Sequence, residues 1–312
     1  MAKLSRVRVC EACIERVGVP LEAGDGVFCR RCGDALGMES ARFAAAMGMS
    51  ECTACRLAPP PFDRAVSFAN YDGEMRRILH LLKFEGMRGV AQHVLGDALA
   101  QAAQRLRAGS HGQPESAPQQ PAAMAGSGSP LWEPEVAVEP GTSTQFPADQ
   151  VLVVPVPLFA TREKKRGYNQ AKLLAEAAIA ALRRREPRWE LRLCPGALQR
   201  VKDTPTLYAL NPRQRRTNLR GAFAVCDAEA VRGREVLLID DIMTTGATAR
   251  ECARVLKQAG AAKVWVVTAA RALPDEVRGA GQPDRFPQAM QGVAIWDRFS
   301  APASEIGRQA SS

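Results

Sequence analysis

Apolar positions recur along this chain with two different periods. Between Phe62 and Leu106 the spacing is helical: Met75, Ile78, Leu79 and Leu82 fall at i, i+3, i+4 and i+7, with Arg76, Arg77 and Lys83 elsewhere on the surface. That pattern predicts an amphipathic helix laid on a larger body. After Asp149 strands and helices alternate. Val151 to Val156 (VLVVPV) reads as a short buried strand, and Asn169 can cap a helix whose Leu173, Leu174, Ala177, Ala178 and Ala181 line one face. Glu235 to Ile239 is a second strand, a helix over Ala247 to Ala259 stops at Gly260, and Lys263 to Thr268 (KVWVVT) is a third strand. Strand, helix and strand joined by short links require parallel pairing with right-handed crossovers. The fold class is therefore α/β, a parallel sheet flanked by helices.

Two stretches break the rhythm. Residues 1–58 carry little apolar sequence but hold six of the nine cysteines, as three CxxC pairs: Cys10/Cys13, Cys29/Cys32 and Cys52/Cys55. Such a segment buries too little to fold unaided, and a metal ion would supply the missing free energy. The pairs are separated by 15 and 19 residues, a spacing that suits a tetrahedral zinc site made of four cysteines. Cys29/Cys32 followed by Gly33 reads as a zinc knuckle with Cys52/Cys55 as its partner, which leaves Cys10 and Cys13 as alternative ligands or as surplus. Residues 109–149 contain seven of the 21 prolines among Gly, Ser, Gln and Ala, without periodicity, and predict a disordered insertion. The expected organisation is a Cys-rich zinc-ribbon module at 1–58, an α/β domain at 59–275 and a partly disordered tail at 276–312.

Composition narrows the function classes only a little. With 46% hydrophobic and 24% charged residues in 312, the chain has the make-up of a folding protein. The formal net charge of +9 favours polyanionic partners, whether nucleic acid or phosphorylated small molecules. No apolar run approaches the roughly 18 residues of a membrane span, and the opening MAKLSRVRVCEAC has no apolar signal region, so a cytoplasmic location is expected. Cys194, Cys226 and Cys252 stand alone, and His80, His93 and His111 show no ligand spacing.

The chemistry concentrates in VLLIDDIMTTGAT, Val236 to Thr248. A buried strand ends in two carboxylates, Asp240 and Asp241, and a small hydroxyl-rich turn then opens a helix. In an open parallel sheet ligands lie beyond the carboxyl ends of the strands. Gly246 permits close backbone approach, the hydroxyls of Thr244, Thr245 and Thr248 can donate, and free N–H groups favour an anion. The carboxylates can accept hydrogen bonds from the vicinal hydroxyls of a ribose. Together they describe a ribose-5-phosphate site. Neither the Gly-Lys-Ser/Thr ending of a Walker A loop nor a GxGxxG turn is present.

This stretch resembles the phosphoribosyl-diphosphate (PRPP) motif of type I phosphoribosyltransferases. The chain as a whole resembles the ComF/GntX family of competence-associated, phosphoribosyltransferase-like proteins. Carrying that resemblance are the CxxC pairs, PPPFD (Pro59 to Asp63), YDGEMRRILHLLKFEG (Tyr71 to Gly86), VPVPL (Val154 to Leu158), RGYNQ (Arg166 to Gln170) and RQRRTNLRGAF (Arg213 to Phe223). The resemblance implies that Asp240 and Asp241 hold the ribose hydroxyls and that Thr244, Thr245, Gly246, Ala247 and Thr248 wrap the 5′-phosphate. It implies a diphosphate loop from Pro157 to Arg166, offering Arg162, Lys164, Lys165 and Arg166. A mobile loop at Arg200 to Thr204, including Lys202, and Mg²⁺ on the diphosphate are implied as well. Leu207 departs from the pattern, which leads one to expect Gln there. The implied activity is phosphoribosyl transfer with release of pyrophosphate. The alternative is a non-catalytic competence factor that binds single-stranded DNA or a helicase partner.

Overall fold

A computed structural model describes residues 17, 27–37, 41–42, 46–48, 50–108, 150–204 and 217–272. Cys10, Cys13, Leu207, Arg213, Arg216, the insertion at 109–149 and the tail at 276–312 lie outside these residues. The elements are α1 (Thr53–Leu57), β1 (Arg64–Asn70), α2 (Gly73–Phe84), a π-helical turn (Ala91–Leu95) and α3 (Gly96–Ala108). After the insertion come β2 (Val151–Pro155), α4 (Ala160–Arg166), α5 (Gln170–Arg185), β3 (Leu191–Leu193), β4 (Leu198–Arg200) and β5 (Phe223–Val225). The chain continues through α6 (Ala228–Val231), β6 (Glu235–Met243), α7 (Ala247–Gln258) and β7 (Lys263–Arg271).

Five strands form a wholly parallel sheet in the order β1-β7-β6-β2-β3, and β4 and β5 form a separate antiparallel pair. From β2 the chain moves to one side of the sheet to make β3, and from β6 it moves to the other to make β7. The order therefore reverses between β2 and β6. That reversal opens a crevice beyond their carboxyl ends, where Pro155 and the Asp240–Asp241 pair lie.

The central strands alternate side chains between two apolar layers. Val153, Leu237, Ile239 and Val267 face one core, shared with α2, α3 and α5. Leu152, Val154, Val236, Leu238, Val264 and Val266 face the other, shared with Cys252, Ala253 and Leu256 of α7 and with three cysteines of the knuckle region. Because both faces are covered, these strands read as unbroken apolar runs.

The helical expectations hold in α2, where Met75, Ile78, Leu79 and Leu82 are buried, and in α5, whose cap Asn169 accepts from the N–H of Ala171 at 2.9 Å. Helix α7 ends one residue earlier than expected, with Gly260 at φ +92°. One expectation fails. The segment from Phe62 is not helical throughout, because Arg64–Asn70 is an edge strand paired to β7 in parallel register. Its short apolar run, AVSFA, lies below the length at which periodicity separates a strand from a helix.

Leu238 is wholly buried in the middle of β6. Leu238→Ala is expected to lower unfolding free energy by about 2–5 kcal/mol without changing the fold, measured by denaturant titration with circular dichroism.

Candidate phosphoribosyl site and four-cysteine centre

Strand β6 runs on through Asp240 and Asp241 to Met243, and its period of two sends the two carboxylates to opposite faces. Asp241 is on the side of Ile239, under α2, where the Lys83 ammonium meets its Oδ2 at 2.9 Å; both side chains are largely buried. Lys83 was expected on the helix surface. The structure turns it inward because it follows Leu82, at the edge of the buried stripe, in the last turn over the sheet.

Asp240 points to the other face, accepts from the N–H of Asp241 at 2.9 Å, and lines the depression that follows β6. Its pKa is pushed up from 3.8 to about 7, first by burial and then by the charge of Asp241, while Lys83 and Arg200 pull it down. Behind it Cys252 is fully buried, and that burial, helped by the charge of Asp240, pushes its thiol well above the ordinary range.

The depression is a cavity of about 30 Å³ lined by Asp240, Ile242, Met243, the turn Thr244 to Thr248, Ala249 and Thr268. Gly246 caps α7 at φ +69°, a left-handed conformation that other residues adopt only at a cost. Every residue expected to wrap a phosphate is thus brought together. The Thr245 hydroxyl oxygen is buried without a hydrogen-bond partner among the described residues. An unpaired buried hydroxyl costs stability unless a ligand or water satisfies it, so it fits an anion acceptor.

The expected cations are placed less uniformly. The run expected as a diphosphate loop is loop only to Phe159 and helical from Ala160. Lys165 is exposed on α4, the Arg166 guanidinium lies 5.8 Å over the Phe84 ring, and exposed Lys202 donates to the carbonyl of Arg220 at 3.2 Å. None of these three lines the cavity. Instead Arg162 and Arg200 converge on Thr204, Arg162 donating to its carbonyl and Arg200 to its hydroxyl. Burial, then the charge of Arg162, lower the pKa of Arg200, and its Nε is buried without a partner among the described residues.

At the amino-terminal end the Sγ atoms of Cys29, Cys32, Cys52 and Cys55 all lie within 4.8 Å of one another, with Cys32 and Cys52 at 3.7 Å. Four thiolates about 2.3 Å from a tetrahedral zinc ion stand about 3.8 Å apart, so this cluster could hold zinc. A hydrogen bond from the Cys32 thiol holds Cys29 down to about 4, that same bond and burial push Cys32 upward, and burial pushes Cys55 to about 12. Unequal sharing of protons among four crowded sulfurs is the condition that a dication relieves.

A parallel sheet with a carboxylate pair and a small hydroxyl-rich turn at its switch point is the arrangement of a phosphoribosyltransferase-type α/β fold. Residues 196–287 match the family model of the phosphoribosyl transferase domain. DNA utilization protein YhgH of Escherichia coli K12 is 28% identical over 71% of this chain and 78% of its own length. Competence protein F of Haemophilus influenzae is 35% identical over 38% of this chain and half of its own, and Competence protein ComFC of Bacillus subtilis is 31% identical over 38% and 44%. The chain thus carries a phosphoribosyl transferase domain, is similar to these DNA-utilization and competence proteins, and has a cluster of four cysteines at its amino-terminal end. No helix among the described residues is long and apolar enough to cross a membrane.

Raising the pKa of Asp240 from 3.8 to about 7 means that the folded state binds more protons than the unfolded state between those values, so stability falls as pH rises through that window. Asp240→Asn is expected to flatten this part of the profile and to exceed the parent by about 1–3 kcal/mol at pH 8, in urea titrations across pH. Lys83→Met, by removing a charge that favours the Asp240 carboxylate, is expected to extend the declining limb to higher pH in the same titrations.

Proposed function

We propose that this protein binds a phosphoribosyl compound, PRPP by preference, in the crevice between β2 and β6 and transfers the phosphoribosyl group to an acceptor with release of pyrophosphate. The observation that carries this reading is the Thr244–Thr248 turn, with its orphaned Thr245 hydroxyl, gathered around one small cavity beside Asp240. The 5′-phosphate would take the turn's N–H and hydroxyl groups. Asp240 would accept from a ribose hydroxyl, and does so best above neutral pH, when it carries its full charge.

Lys83 would hold the Asp241 carboxylate in place, so that this second acceptor reaches the sugar only from the α2 side. Arg162 and Arg200 are two guanidiniums close enough for the charge of one to lower the pKa of the other, and a departing pyrophosphate would relieve that repulsion. Mg²⁺ brought in on the diphosphate would offset further negative charge on the leaving group. Bond breaking at C1 of the ribose builds positive charge on the sugar, which the neighbouring carboxylates stabilise.

The names of the relatives favour a second reading, a role in competence or DNA utilisation; on that reading the fold would serve as a docking module for single-stranded DNA or a helicase. The two readings part on a pair of titrations. Saturable calorimetric binding of PRPP with Mg²⁺ to the zinc-loaded protein is expected, weakened by about tenfold or more in an Asp240→Asn/Asp241→Asn double variant. Binding of single-stranded oligonucleotide that is unaffected by that double variant, with no heat from PRPP, would give preference to the docking reading.

A further inference from the structure

Arg271 is the last residue of β7 and is almost wholly buried. A buried guanidinium needs partners for its five N–H groups, and those of Arg271 come from two different parts of the molecule. Its Nη1 donates to the carbonyl of Cys32 at 2.7 Å, and its Nε meets Oδ1 of Asp34 at 3.0 Å, so one side of it grips the knuckle. The same Nη1 reaches the thioether sulfur of Met243 at 2.9 Å. Met243 is the register partner of Arg271 across β6 and β7, and its carbonyl accepts from the N–H of Ala272 at 2.9 Å.

Met243 in turn is the residue from which the Thr244–Thr248 turn springs. Its Cε lies 3.5 Å from the position that a Cβ on Gly246 would occupy, so the thioether is packed under the turn. The contacts run without a gap from Cys32, through Arg271 and Met243, to Gly246.

The knuckle is also seated firmly on the sheet. Ala65 donates to the carbonyl of Arg31 at 2.8 Å, and Gly33, at φ +69°, lets the Ala65 carbonyl approach so closely that a Cβ would stand 2.7 Å from it. Its position relative to β7 is thereby set, and Arg271 carries that position across to β6.

We propose that Arg271 is a positioning residue that couples the four-cysteine centre to the phosphate-binding turn, so that occupancy of the centre by zinc sets the order of the turn and its affinity for the phosphoribosyl ligand. This deepens the phosphoribosyl reading and rests on it for the identity of the ligand, but the coupling itself belongs to the two sites alone. With the centre filled, Cys32 and Asp34 hold the guanidinium, and Met243 is held under Gly246. With it empty, the carbonyl of Cys32 moves with its loop and the turn loosens. Because coupling is reciprocal, a ligand on the turn also tightens the binding of zinc by the same factor.

The test is amide exchange in the full-length, zinc-loaded protein, followed by mass spectrometry over the turn, the knuckle and β2 as a control for global unfolding. Arg271→Met is expected to keep its zinc, by metal analysis, while the turn exchanges roughly tenfold faster. Arg271→Lys, which keeps the charge and a single reach, is expected to recover part of the protection. Chelating zinc from the parent should accelerate the turn to the same degree, and chelating it from Arg271→Met should add nothing.

Equal turn exchange in the parent and in zinc-loaded Arg271→Met would overturn the coupling, as would a turn in the parent indifferent to chelation. If Arg271→Met does not fold, Asp34→Ala decides: it removes a half-exposed anchor, and unchanged turn exchange there refutes the proposal. The functional reading is judged separately. Absence of PRPP binding by the parent sinks the phosphoribosyl site and leaves the exchange result to stand or fall alone.

Discussion

A central strand buried on both faces cannot carry two adjacent carboxylates unless the surrounding elements supply compensating charge. That constraint explains much of what surrounds β6. Lys83 descends from α2 to meet Asp241, and Arg200 comes from the β4–β5 pair on the other face to favour the charge of Asp240. The compensation is incomplete, because Asp240 still holds its proton to about pH 7. A buried carboxyl left with this residual cost is stabilised by any hydrogen-bond donor that reaches it. Helix α2 and the β4–β5 pair are thus more than covers for the apolar layers, since each delivers one cation to one carboxylate.

Much of this arrangement was legible in the sequence because it depends on local signals. The apolar runs at Val151 and Val236 announce doubly covered strands, Asn169 announces a helix start, and the hydroxyl-rich turn after the carboxylates announces another. Spacing makes Cys29/Cys32 and Cys52/Cys55 the preferred grouping while leaving Cys10 and Cys13 as alternatives, and the sulfurs of the preferred four do converge. What escaped was set by contacts distant in the chain. Lys83 and Asp241 are 158 positions apart, and nothing near Lys83 distinguishes an inward ammonium from a solvated one except its place beside Leu82. Arg271 closes a strand whose apolar run alone suggested an earlier end, and its partners Cys32 and Asp34 lie more than 200 residues away. The basic run at Arg162 to Arg166 reads as a uniform patch, yet a helical turn rotates Arg162 toward Thr204 and leaves Lys165 exposed.

The amino-terminal cysteines acquire a different meaning once the contacts are considered together. Three of the four are buried within the same apolar layer as Leu238, Val266 and α7, so the knuckle completes the core on that face. A small module that lacks its own core borrows one from the sheet, and in return its backbone and Asp34 provide the acceptors that a buried arginine requires.

The same seating has a consequence at the margin of the sheet. Strand β1 lies at one edge of the five, with four successive residues buried, and the carbonyl of Arg31 takes the outward N–H of Ala65. An apolar edge strand with open backbone groups is a template for another chain, and proteins blunt such edges with charge, bulges or a covering loop. Here the covering loop is held by four thiols. Were those thiols to hold a metal, stripping it would do more than loosen a module: it would bare part of a ready pairing surface, and the first sign of metal loss in concentrated protein would be self-association through β1.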